Sequence, residues 1–355
     1  MARKAFNDAL LRMESKGSAL FKLWALMLAL AGTLLLGSTQ ATAGSATWSI
    51  VPSPNTSASL NNSFYGMSCK GAKACEAVGY YTNSSGADQT LVERWNGTSW
   101  SIVSSPNSGT NLNNYLFGVS CTNAKACEAV GYYTNSSGID QTLIERWNGT
   151  SWSIVSSPNM GGNDYLNAVS CTGGSACEGV GYYFTPPGSG IDQTLVERWN
   201  GTSWSIVFSP DVSASPPGGA NSLFGVACTS TSACTAVGAY LNSSDVYQTL
   251  VERWNGTSWS IVASPNSGSA GNVLYGVSCT GTKACTAVGG SNLPNDLTLV
   301  ETWNGTKWSI VTSSDALNGT NFLLRGDSCV STSVCTAVGR YDNASGYQQT
   351  LIETG

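Results

Sequence analysis

The chain predicts an all-β fold, a six-bladed β-propeller with four antiparallel strands per blade, and three observations carry that prediction. A pair of cysteines separated by five residues recurs six times, at Cys69/Cys75, Cys121/Cys127, Cys171/Cys177, Cys228/Cys234, Cys279/Cys285 and Cys329/Cys335. The first cysteines lie 52, 50, 57, 51 and 50 residues apart, a period that marks propeller blades built of short strands. Each pair leads into a Thr-Leu-Val/Ile-Glu run, and five of those runs lead on into Trp-Ser-Ile-Val. Third, a lone Trp48-Ser49-Ile50-Val51 precedes the first unit and none follows the last. A ring split inside one blade needs such a strand, because the N-terminal segment then completes the last blade and fastens the circle.

Residues 1–43 stand apart from the repeats. Arg3, Lys4, Arg12, Lys16 and Lys22 precede a 14-residue apolar run from Leu23 to Leu36, and Ala41-Thr42-Ala43 follows. A basic start, a short apolar run and an A-x-A site read as a secretory signal cut after Ala43; an uncleaved anchor is the alternative, with a run short of the ~20 residues a membrane span needs. The remaining segment, 44–355, is one domain of six units averaging 52 residues. It holds 11 basic and 19 acidic residues, a net charge of −8, and no histidine. Such a surface offers nucleic acid no basic footprint and anionic lipid no electrostatic attraction, so no membrane partner is expected after signal cleavage.

All twelve cysteines fall within the six pairs. In an exported chain, even and regularly spaced cysteines read as disulfides. Each closes a loop of about seven residues, worth roughly 2 kcal/mol in the chain-entropy model.

The second unit shows the strand grammar. Tyr115–Cys121 is a short run rich in aromatic and β-branched residues, Thr122–Ala126 a polar turn and Cys127–Tyr133 a second strand. Asn135-Ser136-Ser137-Gly138 breaks the chain, Gln141–Trp147 is a third strand, and Ser151–Val155 follows Asn148-Gly149 as the fourth. Asn-Gly recurs at Asn96, Asn200, Asn255 and Asn304 and predicts type I′ hairpin turns, in which both central residues take positive φ. Nothing after residue 43 sustains a 3.6-residue apolar period, so no helix is expected. Eleven of the twelve tryptophans flank the turn from third to fourth strand. Each ring buries 150–250 Å², which suits the widening gap between blades at larger radius.

Val130-Gly131-Tyr132, followed by Glu145-Arg146-Trp147-Asn148-Gly149 and Trp152, resembles the kelch pattern of galactose-oxidase-type propellers. The run Leu143-Ile144-Glu145-Arg146-Trp147-Asn148-Gly149-Thr150-Ser151-Trp152 is also similar to the hairpin of fucose-binding six-bladed lectins. That resemblance implies a sugar held by the repeated glutamates, here Glu93, Glu145, Glu197, Glu252 and Glu301, together with a tryptophan. The overall pattern looks like that of exported bacterial repeat proteins of the Trp-Asn-Gly-Thr-Ser-Trp type.

Without histidine, Ser-His-Asp and Cys-His nucleophile systems are excluded, as are imidazole copper and zinc centres; no metal and no cofactor are expected. Paired carboxylates, the glycosidase arrangement, are the catalytic option left. A glutamate present once in every unit reads better as a latch between blades, because an active site breaks symmetry.

In a meander, alternate connections lie on opposite faces. The cysteine turns and Asn-Gly turns are short and uniform, whereas the other two connections vary between units. Rigid scaffold with variable loops on one side is how binding faces are commonly built. Tyr81, Tyr133, Tyr183, Tyr240 and Tyr341 lead into these loops beside Asn83 and Asn135, and Asp88, Asp140 and Asp192 leave them. Aromatic planes beside amides and carboxylates suit a polyol. The sequence thus points to an exported, non-enzymatic binding module for a glycan or cell-surface ligand. A structural or protein-interaction scaffold is the alternative, and a carbohydrate-active enzyme a third.

Overall fold

The computed structural model describes residues 51–184, 192–212, 220–293, 297–313 and 319–355. The expected signal segment with its expected cut after Ala43, and Trp48–Ile50 of the expected closing strand, all lie outside the described residues. No described helix is long and apolar enough to cross a membrane.

Among the described residues, twenty-three strands form six sheets, each a meander. Blade one contains β1 (Asn62–Cys69), β2 (Cys75–Thr82), β3 (Asp88–Trp95) and β4 (Trp100–Val103). Blade two contains β5 (Asn114–Asn123), β6 (Ala126–Thr134), β7 (Asp140–Trp147) and β8 (Trp152–Val155). Blade three has β9 (Asp164–Gly173), β10 (Ala176–Phe184), β11 (Asp192–Trp199) and β12 (Trp204–Ile206). Blade four has β13 (Asn221–Ser230), β14 (Ala233–Leu241), β15 (Tyr247–Trp254) and β16 (Trp259–Ile261). Blade five has β17 (Gly271–Gly281), β18 (Ala284–Leu293), β19 (Leu297–Trp303) and β20 (Trp308–Val311). Blade six has β21 (Gly319–Ser331), β22 (Val334–Asn343) and β23 (Gln348–Thr354), three strands among the described residues. First strands of successive blades lie beside one another from blade one to blade six, whereas fourth strands touch their own third strand. The first strands therefore line the axis and the fourth strands form the rim.

All six expected disulfides are formed: Cys69–Cys75, Cys121–Cys127, Cys171–Cys177, Cys228–Cys234, Cys279–Cys285 and Cys329–Cys335. Each joins residues directly opposite in the first and second strands. The turn they close corrects one expectation, because it is tighter than the spacing implies and the second strand does not begin at the second cysteine. Asn123 pairs with Ala126, Gly173 with Ala176, Ser230 with Ala233, Gly281 with Ala284 and Ser331 with Val334, leaving two residues at each tip. Cys127, Cys177, Cys234, Cys285 and Cys335 are therefore the second residues of their strands, and Cys75 alone is a first residue. The extra backbone pairing is what the cysteine spacing does not reveal. Cys177 and Cys234 are buried in the seams against the preceding blades, whereas Cys335 is half-buried and exchanges backbone hydrogen bonds with Gly355.

The Asn-Gly turns correct a second expectation. Trp147 pairs with Trp152, so four residues connect the strands, and Gly149 has φ +95° while Asn148 stays outside the positive region. The Asn148 side chain supplies what a type I′ backbone would have supplied. Its Oδ1 accepts hydrogen bonds from the N–H of Thr150 (2.9 Å) and Ser151 (3.0 Å).

Blades dock through one recurring set of contacts. Leu116, fully buried, packs on Val78 and Val92 of blade one, and the same cluster holds Trp147, Trp152 and the Cys121–Cys127 bridge. Leu166, Leu223, Leu274 and Leu324 repeat this on the preceding blades; burying each leucine is worth about 1.5–3 kcal/mol. The tryptophans of blades two to five are thus core residues, 3–7 % exposed.

Polar ties reinforce the seam. A serine after each fourth strand donates to the glutamate of the next blade: Ser105 to Glu145 (2.6 Å), Ser157 to Glu197 (2.7 Å), Ser209 to Glu252 (2.7 Å) and Ser264 to Glu301 (2.6 Å). Ser53, two residues beyond Val51, makes the corresponding bond to Glu93 at 2.8 Å. Pro and Asn or Asp follow these serines, and Asn107, Asn159, Asp211 and Asn266 accept the N–H of Thr90, Thr142, Thr194 and Thr249 in the blade before. Ser-Pro-Asn thereby ties two blades at once.

The outer faces of blades one and six carry the same positions exposed. Phe64 and Met67 stand where blade two has Leu116 and Val119, and are 40 % and 64 % exposed; Val338 and Ile352, the counterparts of Val78 and Val92, are 47 % and 49 % exposed.

Candidate functional site

The residues that the sequence singles out around the variable loops do gather at one end of the blades, and most have a structural partner there. Asn83 Oδ1 accepts the N–H of Ser85 (2.9 Å) and Ala87 (3.1 Å), and its Nδ2 donates to Thr110 O of the next linker (2.9 Å). Asn135 closes its own turn on Ser137 and Ile139 in the same way. Asp88 accepts hydrogen bonds from Thr82 and from the Tyr115 hydroxyl of blade two, and Asp140 from Thr134 and, at 2.7 Å, from Tyr165 of blade three. Asp192 begins β11 opposite Phe184. The Tyr133 and Tyr183 hydroxyls donate to Gln141 and Gln193 on the neighbouring strand at 2.9 and 2.8 Å. Tyr240 packs on the core between blades three and four, Tyr341 stacks on Phe322 at 5.5 Å, and Tyr81 is half-buried opposite Gln89. The loops at 185–191, 213–219 and 294–296 lie outside the described residues.

The repeated glutamates Glu93, Glu145, Glu197, Glu252 and Glu301 are fully buried, at 0 % exposure. Burial pushes the carboxyls of Glu145, Glu197 and Glu252 up to about 8 and that of Glu301 up to about 7, with the serine hydrogen bonds pulling the other way. A ligand reaching Glu145, Glu197, Glu252 or Glu301 would first have to pry adjacent blades apart, and one reaching Glu93 would have to displace the segment at Ser53.

A row of aromatic rings runs through blades one to three on the axial side of this end. Tyr80 meets Tyr115 at 5.1 Å, Tyr115 meets Tyr132 at 4.9 Å, Tyr132 meets Tyr165 at 4.9 Å, and Tyr165 meets Tyr182 at 4.9 Å. Phe184 closes the row, 5.8 Å from Tyr182. The Asp88 and Asp140 carboxylates sit against it through Tyr115 and Tyr165, and burial pushes both hydroxyls upward, so they stay protonated donors. At the corresponding second-strand positions, blades four and five have Ala239 and Gly290.

One feature lies beyond what strand patterning predicts. Every first strand carries a β-bulge at one height, between Phe64/Gly66, Leu116/Gly118, Leu166/Ala168, Leu223/Gly225, Leu274/Gly276 and Leu324/Gly326. The residues at the six register shifts are Tyr65, Phe117, Asn167, Phe224, Tyr275 and Arg325. All are half-buried or exposed although they lie on the innermost strands, and neighbours touch across blades. Tyr65 meets Phe117 edge-on at 5.0 Å, Phe224 meets Tyr275 at 5.4 Å, and the Arg325 guanidinium lies 4.8 Å from the Tyr275 ring centre. Asn167 Nδ2 donates to Leu223 O of blade four at 2.8 Å.

A signal for the bulge stands on the second strand. A Cβ on Gly131 would fall 1.9 Å from Tyr115 O, and Gly79, Gly181, Gly238, Gly289 and Gly339 face the same collision. A glycine inside a strand marks a bulge or a close backbone approach, and this one recurs in every Val-Gly.

Among the described residues no group of three or more carboxylates or cysteines is placed to hold a metal ion. No family model and no curated protein matches the chain. Among solved structures, it is similar to a Dyadobacter fermentans protein of unknown function, at 12 % identity over 83 % of this chain and 95 % of that one, with a TM-score of 0.52. It is similar as well to a Penicillium chrysogenum α-L-arabinanase complexed with arabinobiose, at 10 % identity over 82 % of this chain and 93 % of that one, with a TM-score of 0.52. A variant of the Aleuria aurantia lectin in complex with Fucα1-6GlcNAc aligns at 15 % identity over 82 % of this chain and 94 % of that one, with a TM-score of 0.48. At these identities the likeness is one of fold.

Proposed function

We propose that the chain is an exported, non-enzymatic binding module that takes carbohydrate at the variable-loop end of the propeller. The observation that carries this reading is the half-buried part of the tyrosine row, Tyr132, Tyr165 and Tyr182, with the half-buried Asp88 and Asp140 carboxylates beside it, whereas Tyr80 and Tyr115 behind them are buried. Flat aromatic faces pack on the CH faces of sugars, and carboxylates and tyrosine hydroxyls answer their hydroxyl groups. Burial of the repeated glutamates supports a frame role for them and puts them out of reach as a glycosidase pair. The six disulfides fit an oxidising compartment outside the cytosol. We further read the exposed faces of blades one and six as the two halves of a sixth blade seam, which closes the ring.

A glycan array with the mature chain tests the function. Binding to a defined set of glycans, reduced by Tyr132→Ala and retained by Glu145→Gln, is the expected result. No signal on any glycan would favour the scaffold reading instead.

A further inference from the structure

Six bulges at one height set six side chains in one layer of the innermost strands, and the frame holds their position while leaving their identity free. The residue before each bulge is Phe or Leu and the residue after it Gly or Ala. The small residue is required because adjacent first strands nearly touch there: a Cβ on Gly66 would lie 2.6 Å from Phe117 O, and one on Gly276 2.9 Å from Gly326 Cα. Between these constant neighbours stand Tyr, Phe, Asn, Phe, Tyr and Arg. Bulges re-aim side chains and are over-represented beside active sites. A fixed projection with varied chemistry is the arrangement of a specificity position.

We propose that this axial ring binds an acidic sugar, a uronic acid residue, with its CH face on the aromatic side chains and its carboxylate on Arg325. The proposal rests on the carbohydrate reading above and names the sugar class. Tyr65 with Phe117, and Phe224 with Tyr275, supply aromatic surface on two arcs of the ring, and Asn167 between them supplies an amide. Arg325 is the one charged member of the six, so selection by charge falls to it. Its guanidinium already lies over Tyr275, which places a cation beside an aromatic face, and the planar fork matches a carboxylate in two parallel hydrogen bonds. Entry is from the variable-loop end. Phe117 lies three residues along β5 from Asn114, roughly 10 Å at 3.3 Å per residue, a depth that covers a single hexose ring.

Asp327, two positions beyond Arg325, is the carboxylate to weigh against this. It stands where blades two to five have Val119, Val169, Val226 and Val277, and lies against Gly276 of blade five rather than in the ring. Burial pushes its carboxyl up to about 7, so near neutrality it offsets Arg325 only incompletely.

Calorimetric titration of the mature chain with D-glucuronate and with D-glucose tests the proposal, since the two differ at the carboxylate. Glucuronate should bind about tenfold more tightly, the scale of one charge-assisted pair. Arg325→Gln should abolish that preference, and Phe117→Ala should weaken both sugars. Arg325 is exposed, and an unchanged melting curve for Arg325→Gln shows that the fold is intact. Equal binding of the two sugars, or a preference that survives Arg325→Gln, overturns the acidic-sugar site. Array binding to neutral glycans that is indifferent to Arg325→Gln would overturn it too, while leaving the lectin-like function standing.

Discussion

The seam between blades two and three and the seam between blades five and six share one frame and differ in what fills it. Both have a leucine on a pair of β-branched residues, Leu166 on Val130 and Ile144, Leu324 on Val288 and Val300. Both have a serine accepting the N–H of the next blade's cysteine, Ser120 from Cys171 and Ser278 from Cys329, each at 3.0 Å. Both have the serine–glutamate latch. At the turn end they diverge. Arg146 pairs with Glu128 of its own blade and lies 3.7 Å from the Trp199 ring centre of the next. In blade five Thr286 and Thr302 stand at those two positions, and a groove of about 290 Å³ lined by Lys283, Thr302, Trp303 and Thr332 opens beside them. The shared ties are therefore enough to dock a blade, and the ion pair is an optional filling.

The largest effect should come from breaking a shared tie. Gly131→Val would drive a side chain into Tyr115 O, so the bulge and the strand pairing cannot both survive. We expect a loss upwards of about 3 kcal/mol in urea unfolding, with no rescue by changes at the turn end.

A smaller effect sharpens the contrast between the two fillings. Arg146→Thr strips the partner from buried Glu128 and should cost about 3 kcal/mol. Glu128→Thr with Arg146→Thr recreates the blade-five combination and should recover most of that loss. A double variant as unstable as the single one would show that blade two depends on its ion pair in a way blade five does not.

The latch makes a prediction about pH. Glu145, Glu197 and Glu252 are raised to about 8 and Glu301 to about 7, from an ordinary 4.5. The folded state holds their protons more tightly than the unfolded chain, so the stability they confer is complete below about pH 4.5 and is lost as pH rises through 7 to 8. Melting temperature should be higher at pH 5 than at pH 8. Glu197→Gln should flatten that slope by its own share and be closest to neutral, or stabilising, at pH 8.

Much of this frame is legible in the residues. Cys121 and Cys127 sit opposite each other, as do Cys171 and Cys177, Trp147 and Trp152 fill the seam, and Glu145 is a latch, because each obeys a local rule of spacing or burial. The Asn-Gly turn departs from its expected type because Asn148 caps it with its side chain, a solution that the dipeptide alone does not distinguish from type I′. The loop-end residues are visible in the sequence but their partners are not: Asp88 reaches Tyr115 and Asn83 reaches Thr110 only after two blades are brought together. The axial ring is hidden for the same reason. Phe117 reads as one more strand residue until Gly131, fourteen positions away, is seen to leave room for the bulge.

The frame positions recur a sixth time, on the faces that blades six and one turn outward, and the axial ring is complete only if those faces meet. Urea unfolding of Phe64→Asp, followed by tryptophan fluorescence beside Leu166→Asp, measures this directly. Leu166→Asp buries an unpaired charge in a formed seam and should cost upwards of about 3 kcal/mol. A closed ring requires Phe64→Asp to fall in the same range while the wild-type chain sediments as a monomer. A loss below about 0.5 kcal/mol, the value for a surface site, would contradict closure and with it the axial ring.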